Sequence, residues 1–435
     1  MKTTQHFMRE FGISDRMIQL ATNAEQNIKE RIQVAEKICE YNQLKVLAAF
    51  HKNRISAEHF IPTSGYGYDD AGREAIDEVF ADIFRTESAL VRHNIISGTH
   101  AISLGLFGIL RPGDTLLCAT GAPYDTLKET IGIVGNDGNG SLKDFGVHYE
   151  QIDLVDGKIN LSGILEVAKK EEVKLILIQK SKGYDYRESL SSEEIGHLIK
   201  KIKEINPYAI CMVDNCYGEF VETTEPTDFG ADLVAGSLIK NPGGGLAPTG
   251  GYLAGKEEYI ELASYKLNAV GMGRECGATL NFNKAILQGV FMAPNIVFQA
   301  VSSAIFCSEM CRLLGYDTLP KPEQHRSDII QAIRFGDKHK VIEFCKGIQG
   351  GAPIDSFVTP VPWEMPGYQD QVIMAAGTFV QGSSIELSAD APIRSPYVAY
   401  MQGGLTYHSA KIGILKGLSQ AEEEGNSPKI NMICR

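Results

Sequence analysis

The sequence predicts an α/β protein, with a mostly parallel sheet in a large domain and a smaller α+β domain at the C-terminus. Three observations carry this expectation. Short apolar runs such as KLILIQ (174–179) and LVAGSLIK (233–240) alternate with amphipathic helical stretches. Fully apolar strands separated by helices belong to parallel sheets covered on both faces. Beyond about residue 285 the order changes to long helices followed by polar, Pro-rich strands. The 435 residues, 43% of them hydrophobic, also suffice for two or three domains with large cores.

From residue 14 to about 50, apolar positions (Met17, Leu20, Ala21, Ala24, Ile28, Ile32, Ala35, Ile38) recur at three- and four-residue steps, the pattern of a helix that Ser14 or Asp15 would cap. This helix precedes any strand and reads as an arm for a partner subunit. A Gly/Tyr loop, 61–72, leads into a second helix, 73–87. Strands are then expected at 89–96, 115–120, 147–154, 174–179 and 208–215, with 233–240 the last of the series. Helices are expected at 99–110 and 192–205. Residues 283–316 read as one or two long helices broken near Pro294, and 336–349 as another. Strands and turns follow in 353–367, 371–388 and 397–407, then a helix over 408–424. The domains are accordingly a helical arm (1–58), a large domain (59–300) and a small C-terminal domain (301–435).

Composition excludes several classes of function. The net charge of −12, from 42 basic and 54 acidic side chains, speaks against nucleic acid and anionic membranes as partners. There is no uninterrupted apolar run long enough for a membrane span, the first residues, MKTTQHFMREFGIS, lack the apolar core of a secretory signal, and the nine cysteines are scattered without C-x-x-C or zinc spacing. Reduced thiols in a cytoplasmic protein without a metal site are expected.

Three motifs carry chemistry. Ser97-Gly98-Thr99 follows a strand and opens a helix, where free N–H groups and the dipole suit a phosphate, although Ser or Thr there is more often a cap. Asp214 ends an apolar strand, where open α/β sheets place ligands, and could pair with a protonated ring nitrogen or merely cap the next turn. Lys240 ends another apolar strand and runs directly into a Gly-rich loop. An amine partly buried there titrates readily and can bind an aldehyde covalently, whereas a snorkelling surface lysine is the plain alternative. Ser237, three residues earlier, could reach the same phosphate.

In order, the phosphate loop, VDN and S-x-x-K resemble a fold-type I pyridoxal 5′-phosphate (PLP) enzyme of the cystathionine/methionine γ-lyase group. The resemblance is closest to its divergent methionine γ-lyase-like, or aluminium-resistance, branch. The stretches GYGYDDAGREAIDEVFA, VRHNIISGTHAISLGLFGILRPGD, GAPYDTLKETIG, VDNCYGEF and GSLIKNPGGGLAPTGGYLAG carry it. The resemblance implies PLP as cofactor, with Ser97, Gly98, Thr99 and Ser237 at its phosphate, Asp214 at its ring nitrogen and Lys240 at its C4′ carbon. Tyr124 would stack on the ring and help protonate a leaving sulfur. Tyr66 and Tyr68 would reach the neighbouring subunit's phosphate, making the protein a homodimer with shared sites, doubled to a homotetramer. The sequence departs from the wider group in three places. Tyr66-Gly67-Tyr68 replaces Tyr-x-Arg, with Arg73 a possible substitute; Ile239 replaces the threonine of S-x-T-K; and a Gly-rich loop follows Lys240.

An amino-acid carboxylate calls for a bidentate arginine. Arg394 in the C-terminal part is the first candidate and Arg187 the second, while Ser181 could touch the cofactor or substrate and Lys182 is a fallback for Lys240. His93 and His100 read as structural histidines. The glycines after Lys240 are not a P-loop, since their lysine precedes them. The expected activity is β- or γ-elimination from a sulfur amino acid. The rivals are an aminotransferase or replacement enzyme, and a non-catalytic stress protein that keeps the fold.

Overall fold

The computed structural model describes residues 3–365, 368 and 370–426. Cys434 and part of the strand expected at 353–367 lie outside them. The described residues form two compact units, one of 35–298 with 325–329 and the other of 3–34, 299–324 and 330–426.

The larger unit is built on a seven-stranded sheet. Its strands are β1 (Ser88–Arg92), β2 (Thr115–Cys118), β3 (His148–Gln151), β4 (Val173–Gln179), β5 (Ile210–Asp214), β6 (Leu233–Ser237) and β7 (Gly251–Gly255), in the order β1-β7-β6-β5-β4-β2-β3. The run from β3 to β6 is parallel, and β7 pairs antiparallel with both β6 and β1. Sequence reading ended the series at β6 and left β7 inside the Gly-rich loop. Strand GYLAG is buried along its whole length but has only three apolar side chains, too few to stand out from its glycine flanks.

Both sheet faces are covered, which is why the central strands are apolar throughout. One face carries Leu90, Leu116, Leu175, Leu177, Met212 and Leu233 against the helix Gly98–Ile109, with Ile260 and Ala263 of the helix Glu257–Leu267 in the same core. On the other, Tyr252 of β7 stacks on Phe84 at 5.0 Å, at the end of the helix Ala71–Phe84. The helix Ser192–Ile205 spans the residues expected, because Ser191 and Glu194 form a capping box just before its apolar stripe. The arm helix Lys29–Lys52 lies against its own chain, where the buried Asn42 donates to the carbonyls of Phe220 (3.1 Å) and Glu222 (2.9 Å).

The smaller unit has an antiparallel sheet of β8 (Asp317–Leu319), β9 (Gln331–Arg334), β10 (Val372–Ala375), β11 (Ser388–Pro392) and β12 (Val398–Gln402), ordered β10-β11-β12-β9-β8. The helices Lys338–Gly350 and Tyr407–Asn426 belong to it. So does the helix Asp15–Asn27, where Glu25 accepts from Lys411 Nζ at 2.6 Å and from Tyr407 Oη at 3.0 Å.

The helix Asn283–Leu314 runs through Pro294 without a break. One missing backbone hydrogen bond costs less than the packing that so long an apolar helix secures. By length and composition this helix could cross a membrane, although polar residues such as Asn295 and Gln299 interrupt its apolar run. Burial of 67% of its most apolar stretch marks it as a core helix.

Candidate functional site

The carboxyl ends of β4, β5 and β6 lie side by side. Register pairs Gln179 with Asp214 and Asp214 with Ala235, and the Lys180 N–H donates to the Asp214 carbonyl at 3.1 Å. The segments that continue these strands, Lys180–Lys182, Asp214–Tyr217 and Ser237–Lys240, therefore meet at one edge, the usual ligand position in an open α/β sheet.

Lys240 is half-buried, and its Nζ lies 4.0 Å from the ring centroid of Tyr217. Tyr217 takes a φ of 72°, a left-handed conformation that a bulky residue seldom adopts. That turn carries its ring to the lysine. Burial alone would pull Lys240 down; the facing groups Cys216, Tyr217 and Asp214 outweigh it and hold the amine above its ordinary value. Asp214 is only 8% exposed, and its Oδ1 accepts from the Cys216 N–H at 3.1 Å. Burial pushes its carboxyl up, against the opposing pull of Lys240 and the Cys216 hydrogen bonds.

The phosphate-type loop reaches the same edge. Ser97 caps the helix Gly98–Ile109, accepting from the His100 N–H at 3.1 Å, and Ser237 Oγ accepts from the Ile239 N–H at 3.3 Å. Each hydroxyl thus takes one backbone donor and keeps its own O–H to give. A Cβ on Gly98 would stand 2.9 Å from Cys216 Sγ and 3.7 Å from Ser237 Cβ. The helix start, β6 and the Asp214 turn hence border one cradle that a larger residue at 98 would fill. Thr99 shares a 2.6 Å hydroxyl contact with Thr126, two residues beyond Tyr124. The Tyr124 ring is 6.3 Å from that of Tyr184, and a Cβ on Gly183, just after Lys182, would lie 3.6 Å from it.

Ser181 and Lys182 both donate to a residue that sequence reading did not single out. Asp328 accepts from Ser181 Oγ at 3.2 Å, from Lys182 Nζ at 3.1 Å and from Ser189 Oγ. Lys182 has no exposed side-chain surface, and burial pulls its amine down while Asp328 acts upward. Its alternative role as the covalent lysine would require breaking this buried pair. Arg187 is also buried, with its Nη2 on the Ser181 carbonyl at 2.7 Å, and serves the β4 loop. The partner of Lys182 stands 146 residues away in sequence, beyond the reach of a local motif.

Tyr66 and Tyr68 are 68% and 58% exposed and stack on each other at 5.5 Å. Arg73 is buried and holds their loop from beneath. Its Nη1 donates to the carbonyls of Gly67 (2.6 Å) and Gly277 (3.0 Å), and its Nη2 to that of Glu275 (3.1 Å). It is an anchor of the loop, with its guanidinium committed to backbone. Arg394, in the smaller unit, pairs with Asp370 at 3.0 Å and is about half-exposed. His93 stacks on Phe282 at 4.6 Å, and burial lowers both it and His100. The eight cysteines among the described residues are all free thiols.

Behind β6 lies a second acid absent from the sequence reading. Glu219 is fully buried, with Oε1 accepting from Tyr252 Oη at 2.8 Å and Oε2 without a hydrogen-bond partner among the described residues. A Cβ at position 236 would lie 2.5 Å from that Oε1, so β6 needs Gly236 there. Burial pushes Glu219 up to about 8, with Glu225 adding to the rise and Tyr252 and Lys240 opposing it. Folded protein thus holds a proton that an unfolded glutamate, near 4.3, has released. The associated stability is complete below about pH 4 and is lost as pH rises through about 8. Glu219→Gln keeps the Tyr252 acceptor and removes the titration. Between about pH 5 and pH 8 the variant should lose less unfolding free energy than wild type, by up to ~1.4 kcal/mol per pH unit. Urea unfolding at successive pH values measures this, and parallel curves for the two proteins would contradict it.

A family model described as methionine gamma-lyase matches residues 17–422. The chain belongs to the methionine gamma-lyase family. Among its relatives, the uncharacterized protein YnbB of Bacillus subtilis (strain 168) is 53% identical over 380 residues, which are 87% of this chain and 90% of the relative. The structure of a Clostridium novyi NT protein described as a carbon-sulfur lyase involved in aluminum resistance superposes with a TM-score of 0.93. It is 54% identical, and the match covers 96% of this chain and 99% of that one. The pyridoxal-5′-phosphate-dependent protein YhfS of Escherichia coli shares the fold at 16% identity, with a TM-score of 0.59 and coverage of 89% of this chain and 96% of its own. The fold of this methionine gamma-lyase family member is thus that of the fold-type I enzymes, a large mostly parallel sheet with a smaller antiparallel one.

Proposed function

We propose that the protein is a PLP-dependent carbon–sulfur lyase. It would eliminate a thiol from the β or γ carbon of a cystathionine- or methionine-type amino acid, leaving a 2-oxo acid and ammonia. The single observation that carries this reading is the placement of Lys240 beside Asp214 at the sheet's carboxyl edge, facing the cradle at Gly98.

The residues present fit PLP in kind. Ser97, Gly98, Thr99 and Ser237 would hold the phosphate with hydroxyl and helix-start N–H donors. Asp214 would hold the ring nitrogen, Tyr124 would stack on the ring, and Lys240 would bind the carbonyl carbon. When bound, PLP supplies an electron sink for negative charge at the substrate's α carbon.

The chain's own groups do the rest. Lys240, as a free amine, takes the α-proton as general base. Its Nζ lies 4.0 Å from the Tyr217 ring centroid, in the field of Asp214. The Asp214 carboxylate would keep the cofactor's ring nitrogen protonated, and for that it must itself stay charged despite burial. The Tyr124 hydroxyl is the proposed proton donor to the leaving sulfur. Ser181 is the proposed polar contact at the β4 end, and Arg394 the proposed carboxylate contact, exchanging Asp370 for the substrate. The reading includes a cytoplasmic homodimer, doubled to a tetramer, in which the exposed Tyr66 and Tyr68 of one protomer serve the partner's phosphate site.

The test is a panel of cystathionine, cysteine, homocysteine and methionine with purified PLP-loaded protein, following thiol, ammonia and 2-oxo acid. Equal amounts of all three from at least one substrate are expected. Amino transfer to an added 2-oxo acid without ammonia would replace elimination by transamination, and no product from any substrate would favour a non-catalytic protein.

A further inference from the structure

Two buried asparagines from distant parts of the chain hold the turn that follows β5. Asn241 Nδ2 donates to the carbonyls of Tyr217 (3.0 Å) and Glu219 (2.9 Å). Asn42 Nδ2 donates to those of Phe220 (3.1 Å) and Glu222 (2.9 Å), further along the same turn. Neither asparagine has any exposed surface. The turn contains two left-handed residues that are not glycine, Tyr217 at φ 72° and Phe220 at φ 63°. Bulky residues hold that conformation at a cost and keep it only where their surroundings fix it, a situation that clusters at functional sites. The two amide clamps supply that fixation.

The clamps differ in where they come from. Asn42 belongs to the arm helix Lys29–Lys52, whereas Asn241 is the residue directly after Lys240. The two Asn241 bonds therefore join the backbone that carries the lysine to the backbone that carries Tyr217, whose ring centroid lies 4.0 Å from Lys240 Nζ. We propose that Asn241 is a positioning residue of the cofactor site, tying the Lys240 backbone to the Tyr217 turn and so fixing where the amine is presented. Local sequence offers no substitute for this tie. The segment that follows, Gly243-Gly244-Gly245, has the conformational freedom of glycine, and the lysine side chain is a flexible four-carbon stem. An amine that must meet one fixed carbon atom is sensitive to displacements of about an ångström.

This inference rests on the proposed PLP site and is tested by cofactor attachment, without an activity assay. Full-length protein is stripped of cofactor and mixed with PLP. Formation of the covalent link is followed by absorbance and by the yield of pyridoxyl-Lys240 after borohydride reduction. The variants are Asn241→Ala, Asn241→Ser, whose hydroxyl can serve one carbonyl at most, and Asn42→Ala, which removes the companion clamp. Asn241→Ala should form the link roughly tenfold more slowly, with Asn241→Ser between it and wild type. Asn42→Ala should stay within about twofold of wild type, although it gives up the same two hydrogen bonds and a comparable share of thermal stability. A clamp that only holds the fold would slow Asn42→Ala as much as Asn241→Ala. That result, or attachment at the wild-type rate in the Asn241 variants, overturns the inference and leaves the proposed function intact. Should Asn241→Ala fail to fold, the same comparison between Asn241→Ser and Asn42→Ala decides. Wild-type protein that attaches PLP to no lysine, or to another lysine, overturns both.

Discussion

Lys240→Ala should lower the rate of thiol release by about 10⁴-fold or more. The substitution removes the proposed covalent tether and the proposed base together. A positioned general base alone contributes roughly 10² to 10⁴, and tethering the reacting partners adds to it. The variant also leaves Asp214 without the amine that pulls its carboxyl down, so the acid should become easier to protonate. Small primary amines added to the assay should restore part of the rate, because the cavity left by the side chain admits a replacement base. Damage to the fold would show no such rescue. A variant that keeps more than about a tenth of wild-type turnover would contradict the assignment of the base.

Asp214→Asn should lower kcat by about 10²- to 10³-fold, the usual cost of removing one electrostatic partner of a developing charge in a buried site. Asparagine preserves the size of the side chain and offers an oxygen to the Cys216 N–H, the 3.1 Å bond seen for Oδ1. What it removes is the negative charge. Substrate KM should change far less, since the proposed partner of the acid is the ring nitrogen rather than the amino acid. Steady-state kinetics separates the two parameters. Unchanged kcat would mean that the charge of Asp214 is not used.

The central sheet was legible because β4, β5 and β6 are continuous apolar runs that each end on polar residues. Gln179-Lys180, Asp214-Asn215 and Ser237 to Lys240 mark the ligand edge in the sequence itself. Strand β7 was not legible, since antiparallel GYLAG between glycine-rich segments has neither the alternation of a surface strand nor the side chains of a buried one. Strands β8 and β9 are three and four residues long, too short for a periodic signal. At the site, Ser97, Gly98, Asp214 and Lys240 stand out because each sits at a junction of strand, turn or helix. Asp328 and Glu219 do not, because their importance lies in partners brought by folding: Lys182 across 146 residues and Tyr252 across 33. Arg73 belongs to the same class. Its sequence position leaves a phosphate ligand and an ordinary helix residue equally open, and three carbonyls hold its guanidinium.

The central claim is that one particular amine carries the cofactor. Borohydride reduction of the PLP-loaded protein, followed by proteolysis and mass spectrometry, tests it most directly. A pyridoxyl group on the peptide containing Lys240 is the predicted result. The same group on Lys182, or on no peptide at all, would contradict the account.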